Sequence, residues 1–246
     1  MPTVLITGCS SGFGQAIART FLDRGWQVVA TMRTPREDLL PRSDRLRVLP
    51  LDVTDTVSIE QALAAAGPID VLVNNAGFGA AAPLELTPPA LARELFETNT
   101  IGTMAMSQAV LPQFRARRAG VIVNVTSSVT LKALPLVSMY SASKAATNAF
   151  TESMAVELAP LGIRVHLVLP GRSPETRFAE NARREGLDHE AYAPMVQQVL
   201  AGMRDPSQPV THAADVAEAV WCAATDPDTP VRLPSGEDAL AWARGG

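Results

Sequence analysis

The stretch "TVLITGCSSGFGQAIA", residues 3–18, decides the fold. "TVLIT" (3–7) is an apolar, β-branched run, and a helix-like segment begins near residue 13. Between them lie Gly8, Gly12 and Gly14. Glycines at a strand-to-helix turn allow a tight bend and close approach of the backbone to a pyrophosphate. The amides and positive dipole end of the following helix then face the phosphates. A flexible turn is the plainer alternative, but the position between first strand and first helix favours a nucleotide site. The spacing is G-x-x-x-G-x-G rather than the general G-x-G-x-x-G. Ser10, Ser11 and Phe13 share the loop.

Working outward, further strand candidates follow at 26–31, 45–51, 70–74, 120–126 and 164–169, with a weaker one, "PVRL", at 230–233. Most are apolar at consecutive positions, as in strands covered on both faces. Helix-like segments fill the gaps near 13–24, 55–66, 88–117, 138–159, 175–203 and 212–224. This alternation predicts an α/β fold: a Rossmann-type, doubly wound parallel sheet of six to seven strands, with helices on both faces. No repeat, low-complexity tract or linker marks a second domain, so residues 1–246 read as one domain.

Such sheets bind ligands at the carboxyl ends of their strands. At the end of the second strand, "VVATMRTPRED" offers no acid for a ribose hydroxyl, and Arg33 stands just beyond. Arginine's planar fork suits a 2′-phosphate, and Ser11 can add a hydrogen bond, so NADP(H) is preferred over NAD(H). The competing reading places Arg33 and Arg36 in a solvated turn.

Composition narrows the classes further. Hydrophobic residues make up 47% and aromatics 5%, and the net charge of −4 argues against a nucleic-acid partner. Two cysteines and three histidines give neither a disulfide framework nor a metal-ligand cluster, so no metal is expected. Strand-like residues from Val4 leave no room for a signal peptide, and no run of eighteen apolar residues spans a bilayer. A cytoplasmic protein with no membrane partner is expected.

"MYSASKAAT" (139–147) holds one of only two tyrosines and one of only two lysines, Tyr140 and Lys144, four residues apart. On a helix these share one face. A neighbouring ammonium favours a phenolate, so Lys144 is expected to lower the Tyr140 pKa toward a value useful in proton transfer.

"TGCSSGFG" (7–14), "NNAG" (74–77) and "YSASK" (140–144) together resemble the short-chain dehydrogenases/reductases over roughly residues 3 to 172. The likeness is nearest to the NADP(H)-using reductases similar to 17β-hydroxysteroid and retinol dehydrogenases. It implies a catalytic set of Asn99, Ser127, Tyr140 and Lys144. Ser127 is selected over Ser128 by the family's thirteen-residue separation from Tyr140. Tyr140 would be the acid/base and Lys144 its tuner and clamp on the nicotinamide ribose. Ser127 would orient the carbonyl, and Asn99 would hold a relay water. The resemblance also implies cofactor contacts at Gly8, Ser10, Ser11, Gly12, Phe13, Gly14 and Arg33. Asp52 and Val53 would lie by the adenine, and Asn74, Ala76 and Gly77 beside the adenosine ribose and the fourth strand. Pro170 and Gly171 would lie by the nicotinamide.

After Gly171 the family pattern breaks. Ser173 replaces a usual Val or Ile, and Thr176 comes one residue late. Ser173 with Pro174 reads as an N-cap and first helical position, which predicts a helix starting at once. Residues 173–205 fall where the family places its variable substrate lid. There Tyr192, Met195, Val196, Val199, Leu200 and Met203 form an apolar stripe. Core packing is the plainer reading of that stripe, and lining a pocket with Phe178, Leu134 and Met139 the sharper one. Lys132 is expected to be an exposed loop lysine and His166 a core histidine. The segment "VRLPSGEDALAWARGG" lacks the family's Val-Asp-Gly-Gly ending. A homodimer is expected, a homotetramer less so.

The expected activity is hydride transfer between NADP(H) and a ketone or secondary alcohol, with bulky apolar or aryl ketones implied by the resemblance. Epimerases, dehydratases and halohydrin dehalogenases share the fold. A non-catalytic NADP(H)-sensing protein is the alternative from another class.

Overall fold

The computed structural model describes residues 1–245. The first half runs β1 (Thr3–Ile6), α1 (Gly12–Asp23), β2 (Gln27–Met32), β3 (Leu46–Pro50), α2 (Thr56–Ala66), β4 (Val71–Asn74), β5 (Ala80–Ala81), α3 (Pro89–Phe96) and α4 (Gly102–Arg117). The second half runs β6 (Gly120–Val125), α5 (Ser138–Leu158), β7 (Ile163–Pro170), α6 (Phe178–Asn181), β8 (Arg183–Arg184), α7 (Ala193–Arg204), α8 (Ala213–Thr225), β9 (Arg232–Ser235) and α9 (Glu237–Arg244).

Seven strands form one parallel sheet in the order β3-β2-β1-β4-β6-β7-β9. Alternate side chains leave a strand on opposite faces, and both faces here are apolar. Val4 and Ile6 of β1 pack with Ile17 and Phe21 of α1 and with Val216 and Val220 of α8. Leu5, between them, packs on the other face with Ile59, Met106, Val110, Phe114 and Leu158, from α2, α4 and α5. The consecutive apolar runs thus fill two helical layers. The chain steps from β1 outward to β3, then returns to the other side of β1 as β4. That reversal opens a crevice at the carboxyl ends of β1 and β4.

Three expectations need correction. The helix foreseen over 88–117 is broken by a π-helical turn, Glu97–Ile101, between α3 and α4. Ser173 caps nothing: residues 173–176 form a turn in which Thr176 N–H donates to the Ser173 carbonyl at 3.3 Å, and α6 begins only at Phe178. The segment 175–203 is not one helix but α6, the short β8 paired with β5, and α7. Helix α9 had no counterpart among the expected elements. Among the described residues no helix is long and apolar enough to cross a membrane, and no cluster of three metal-ligating side chains occurs.

Candidate active site

The glycine loop closes the carboxyl end of β1. Gly8 and Gly12 adopt φ of +75° and +57°, which side chains rarely tolerate. A Cβ on Gly14 would lie 2.3 Å from the Gly8 carbonyl oxygen, so backbone fills that space. The loop is tied to the end of β4 by two residues not singled out in the sequence. The Thr7 hydroxyl accepts from the amides of Asn75 and Ala76, both at 2.9 Å. The Asn75 side chain donates to the carbonyls of Thr7 and Gly8 at 3.0 and 3.2 Å. Their sequence signal lies in the motifs already quoted, as the first residue of one and the second of the other.

Ser11 stands at the start of α1, but its side chain does not cap the helix. Ser10 is exposed, and Phe13 is half-buried against the core beneath. Arg33 is exposed past the end of β2. Asp52 accepts from the Thr54 amide and hydroxyl at 3.0 and 2.7 Å. These bonds, with a contribution from the Arg33 charge, hold its carboxyl below the usual range. Val53 is buried against Gly102, where a Cβ would stand 2.8 Å from a Val53 methyl.

Asn74 is the last residue of β4. Its side chain is 3% exposed and turns inward, donating to Ser107 Oγ at 3.2 Å and Asn124 Oδ1 at 2.9 Å. Its Nδ2 thus ties β4 to β6 and α4, while its Oδ1 is buried with no hydrogen-bond partner among the described residues. Gly77 instead faces the catalytic candidates. A Cβ there would lie 2.8 Å from Asn99 Oδ1 and 3.3 Å from Lys144 Nζ.

Helix α5 brings Tyr140 and Lys144 to one face, 7% and 5% exposed. The Tyr140 phenol lies beside the Ser127 side chain, whose Oγ accepts from the Val129 amide at 3.3 Å. The expected tuning of the phenol by the ammonium is corrected. Burial raises Tyr140 to about 12, with Ser127 opposing only in part. Lys144 Nζ donates to the Val125 carbonyl at 3.1 Å, and burial lowers its pKa to about 8. A low-polarity site penalises both charged forms, so the phenol holds its proton tightly and the amine holds its own weakly.

Asn99 sits fully buried in the π-helical turn. Its Oδ1 accepts from the Phe78 amide at 3.0 Å. Both Nδ2 protons are committed, to the Phe78 carbonyl at 3.0 Å and Ser143 Oγ at 3.1 Å. One lone pair of Oδ1 is left for a further donor.

The segment after β7 lies across this site. Pro170 ends β7, and Gly171 donates its amide to Thr211 Oγ1 at 2.9 Å. Thr176 is buried, and its Cβ would stand 3.3 Å from a Cβ placed on Gly12. It therefore meets the glycine loop despite coming late in sequence. Ser173 Oγ is buried with no hydrogen-bond partner among the described residues. Glu175 latches the segment to the start of α8, accepting from the Ala213 amide at 2.5 Å and pairing with His212 at 3.1 Å. Beyond it the Phe178 ring sits 5.9 Å from that of Tyr140, tilted by 51°. Gly79 lies under Phe178, where a Cβ would be 2.9 Å from the ring. The pairing of β5 with β8, through Ala80↔Arg183 and Ala81↔Arg184, holds this arrangement.

Helix α7 buries only Val196, while Met195, Leu200 and Met203 remain exposed, so the stripe does not pack as core. Lys132 is exposed, with Nζ 5.6 Å from the Trp242 ring. His166 is 3% exposed and bonded through Nδ1 to the Pro230 carbonyl at 3.0 Å, a satisfied core histidine as expected.

Backbone at Gly8 and Gly14 where side chains cannot stand, an uncapped Ser11, an exposed Arg33 and the unpaired Ser173 hydroxyl fit a dinucleotide lying along this crevice.

Comparison with known proteins agrees. A family model described as short chain dehydrogenase matches residues 2–186. The 3-ketodihydrosphingosine reductase of Bacteroides thetaiotaomicron is 38% identical over 182 residues, 72% of this chain and 66% of that protein. Human retinol dehydrogenase 8 is 40% identical over 180 residues, 69% of this chain and 58% of that protein. The chain thus spans about three fifths to two thirds of the length of these curated relatives. A short-chain dehydrogenase structure from Streptomyces avermitilis superposes with a TM-score of 0.86 at 35% identity, covering 99% of this chain and 91% of that one. A short chain dehydrogenase from Burkholderia cenocepacia, solved in complex with NADP, gives 0.80 at 29%, covering 99% and 92%.

Proposed function

The chain belongs to the short-chain dehydrogenase/reductase family of oxidoreductases, and from that premise we propose that it moves a hydride between NADP(H) and an apolar ketone or secondary alcohol. The observation that carries this reading is the buried Tyr140 phenol, beside the buried Ser127 hydroxyl and one helical turn from the buried Lys144. Bound nicotinamide would supply the hydride. The residues that would hold the cofactor are the backbone of Gly8–Gly14, Arg33, Asp52, Ala76, Gly77 and Lys144.

In reduction the carbonyl oxygen gains negative charge as its carbon accepts the hydride. Ser127 donates a hydrogen bond to that oxygen and steadies the charge. Tyr140 gives it the phenolic proton. Even with its pKa raised to about 12, a phenol is a stronger acid than an alcohol, so the transfer runs downhill. A water on the free lone pair of Asn99 Oδ1 returns the proton to the phenolate that remains, and Lys144, on the same helix face, would clamp the nicotinamide ribose.

Support for NADP(H) over NAD(H) comes from Arg33, a guanidinium at the end of β2 where no carboxylate stands. Support for an apolar substrate comes from Phe178, whose ring borders Tyr140. The deciding experiment follows cofactor oxidation with aryl ketones, steroids, β-keto esters and small polar ketones, using NADPH and NADH in parallel. The reading expects turnover of apolar ketones with NADPH, abolished by Tyr140→Phe while NADPH binding survives. Tight NADPH binding without turnover on any ketone would point to a sensor instead.

A further inference from the structure

Asp238, in α9, is only 4% exposed, yet it belongs to no element of the proposed chemistry. A buried carboxylate is costly unless hydrogen-bonded, so its partners reveal what it organises. Oδ2 accepts from the Arg172 amide at 2.6 Å, and Oδ1 from the Thr211 hydroxyl at 2.7 Å. The Thr211 oxygen accepts in turn from the Gly171 amide at 2.9 Å. Its single proton has a second possible acceptor, the Ser235 carbonyl at 2.9 Å. Two consecutive amides just past β7 are therefore tied to one carboxylate, one directly and one through Thr211.

The node leaves no room for side chains at its two glycines. A Cβ on Gly171 would stand 2.1 Å from Asp238 Oδ1, and one on Gly236, at φ +95°, 2.0 Å from Thr211 Oγ1. Arg172 carries the tie onward. Its carbonyl accepts from the Thr211 amide at 2.8 Å, and its guanidinium reaches the carbonyls of Met203 at 2.6 Å and Gln208 at 3.4 Å. The two ends of the segment that crosses the active site, at 171–172 and 203–211, thus meet at one node.

We propose that Asp238 and Thr211 are positioning residues that hold both ends of the 173–205 lid and thereby set Thr176 against the glycine loop and Phe178 against Tyr140. The tie extends the proposed function, because its effect on cofactor binding rests on that reading. Its effect on the backbone does not.

The test uses the full chain carrying Asp238→Asn, Thr211→Val or Thr211→Ser. Amide exchange is followed at 171–178, at 203–211 and, as an internal reference, in β1 and β4. NADPH affinity is measured by fluorescence. Asp238→Asn keeps the size but removes the charge, and its NH₂ can face Thr211 only if that hydroxyl turns its proton to the Ser235 carbonyl. Thr211→Val removes the hydroxyl, and Thr211→Ser restores it.

Asp238→Asn and Thr211→Val should speed exchange at both lid ends at least tenfold, leave β1 and β4 unchanged, and weaken NADPH binding about tenfold, as expected for losing one charge-assisted hydrogen bond. Thr211→Ser should behave as the parent. Exchange that rises equally in β1 and β4, or stays unchanged at 171–178, overturns the proposal. If Asp238→Asn does not fold, the contrast between Thr211→Val and Thr211→Ser decides. A parent protein that fails to bind NADPH refutes the cofactor reading alone, and the exchange result still judges the tie.

Discussion

Replacing Lys144 by Met should make the protein more stable at pH 7 while removing its activity. A fall in pKa from 10.5 to about 8, at about 1.4 kcal/mol for each pH unit, means that holding the ammonium in the folded protein costs about 3 kcal/mol at neutral pH. The bond from Nζ to the Val125 carbonyl offsets about 1.5 kcal/mol of this. Met fills similar space with no charge, so the net gain is about 2 kcal/mol, or roughly 5 °C in Tm for a chain of this size.

The pH dependence identifies the cause. A depressed lysine pKa leaves its full penalty below pH 8, where both folded and unfolded chains are charged. The penalty fades between pH 8 and 10.5 and is gone above. Thermal melts by circular dichroism at pH 7 and pH 9.5 should therefore show the gain shrinking to below about 1 kcal/mol at the higher pH. Turnover should fall by a factor on the order of 10² or more. A variant less stable than the parent at pH 7, or equally stabilised at both pH values, would refute the reasoning.

Tyr140 runs the other way. With the folded pKa near 12 and the ordinary value at 10, its contribution is fully present below pH 10 and lost as pH rises toward 12. The chain has only two tyrosines and two lysines, so Tyr140→Phe should visibly flatten the fall in urea-measured stability over that range. Arg33→Ala should raise the KM for NADPH by about ten- to a hundredfold, the value of a charge-assisted phosphate contact, and leave that for NADH within about threefold. Equal losses with both cofactors would count against a 2′-phosphate site. Gly79→Ala forces a Cβ to within 2.9 Å of the Phe178 ring, so it should change KM for aryl ketones several-fold. In a Phe178→Ala background the same change should do almost nothing, since the two share one contact. Additive effects would show that Phe178 does not mediate the loss.

The sheet was readable because its strands are apolar on consecutive positions, and burial on both faces demands that. Leu5, between Val4 and Ile6, serves the opposite helical layer. The glycine loop and the Tyr140–Lys144 pair were readable because their spacing is local to one turn or one helix. What escaped depends on contacts distant in sequence. Asn74 looks inward because Ser107 and Asn124 wait there, 33 and 50 residues away. The Tyr140 pKa is governed by burial, which a four-residue spacing does not reveal. Ser173 and Pro174 have good helix-start chemistry, but Arg172 just before them is held by Asp238, 66 residues on, and the backbone turns instead. Helix α9 is short and follows proline and glycine, so its pattern was too brief to stand out.

The Thr7 hydroxyl and the Asn75 side chain give the glycine loop a dependence on folding order. Their bonds join residues 67 to 69 positions apart, and contacts of that separation close slowly. The first βα unit alone therefore has the glycines but not the shape. Only a chain in which β4 has docked beside β1 presents a finished cradle, so nucleotide binding selects such chains and draws the population toward the folded side by mass action. During synthesis in a cell, the concentration of free nucleotide would then help decide how much of this protein survives to work.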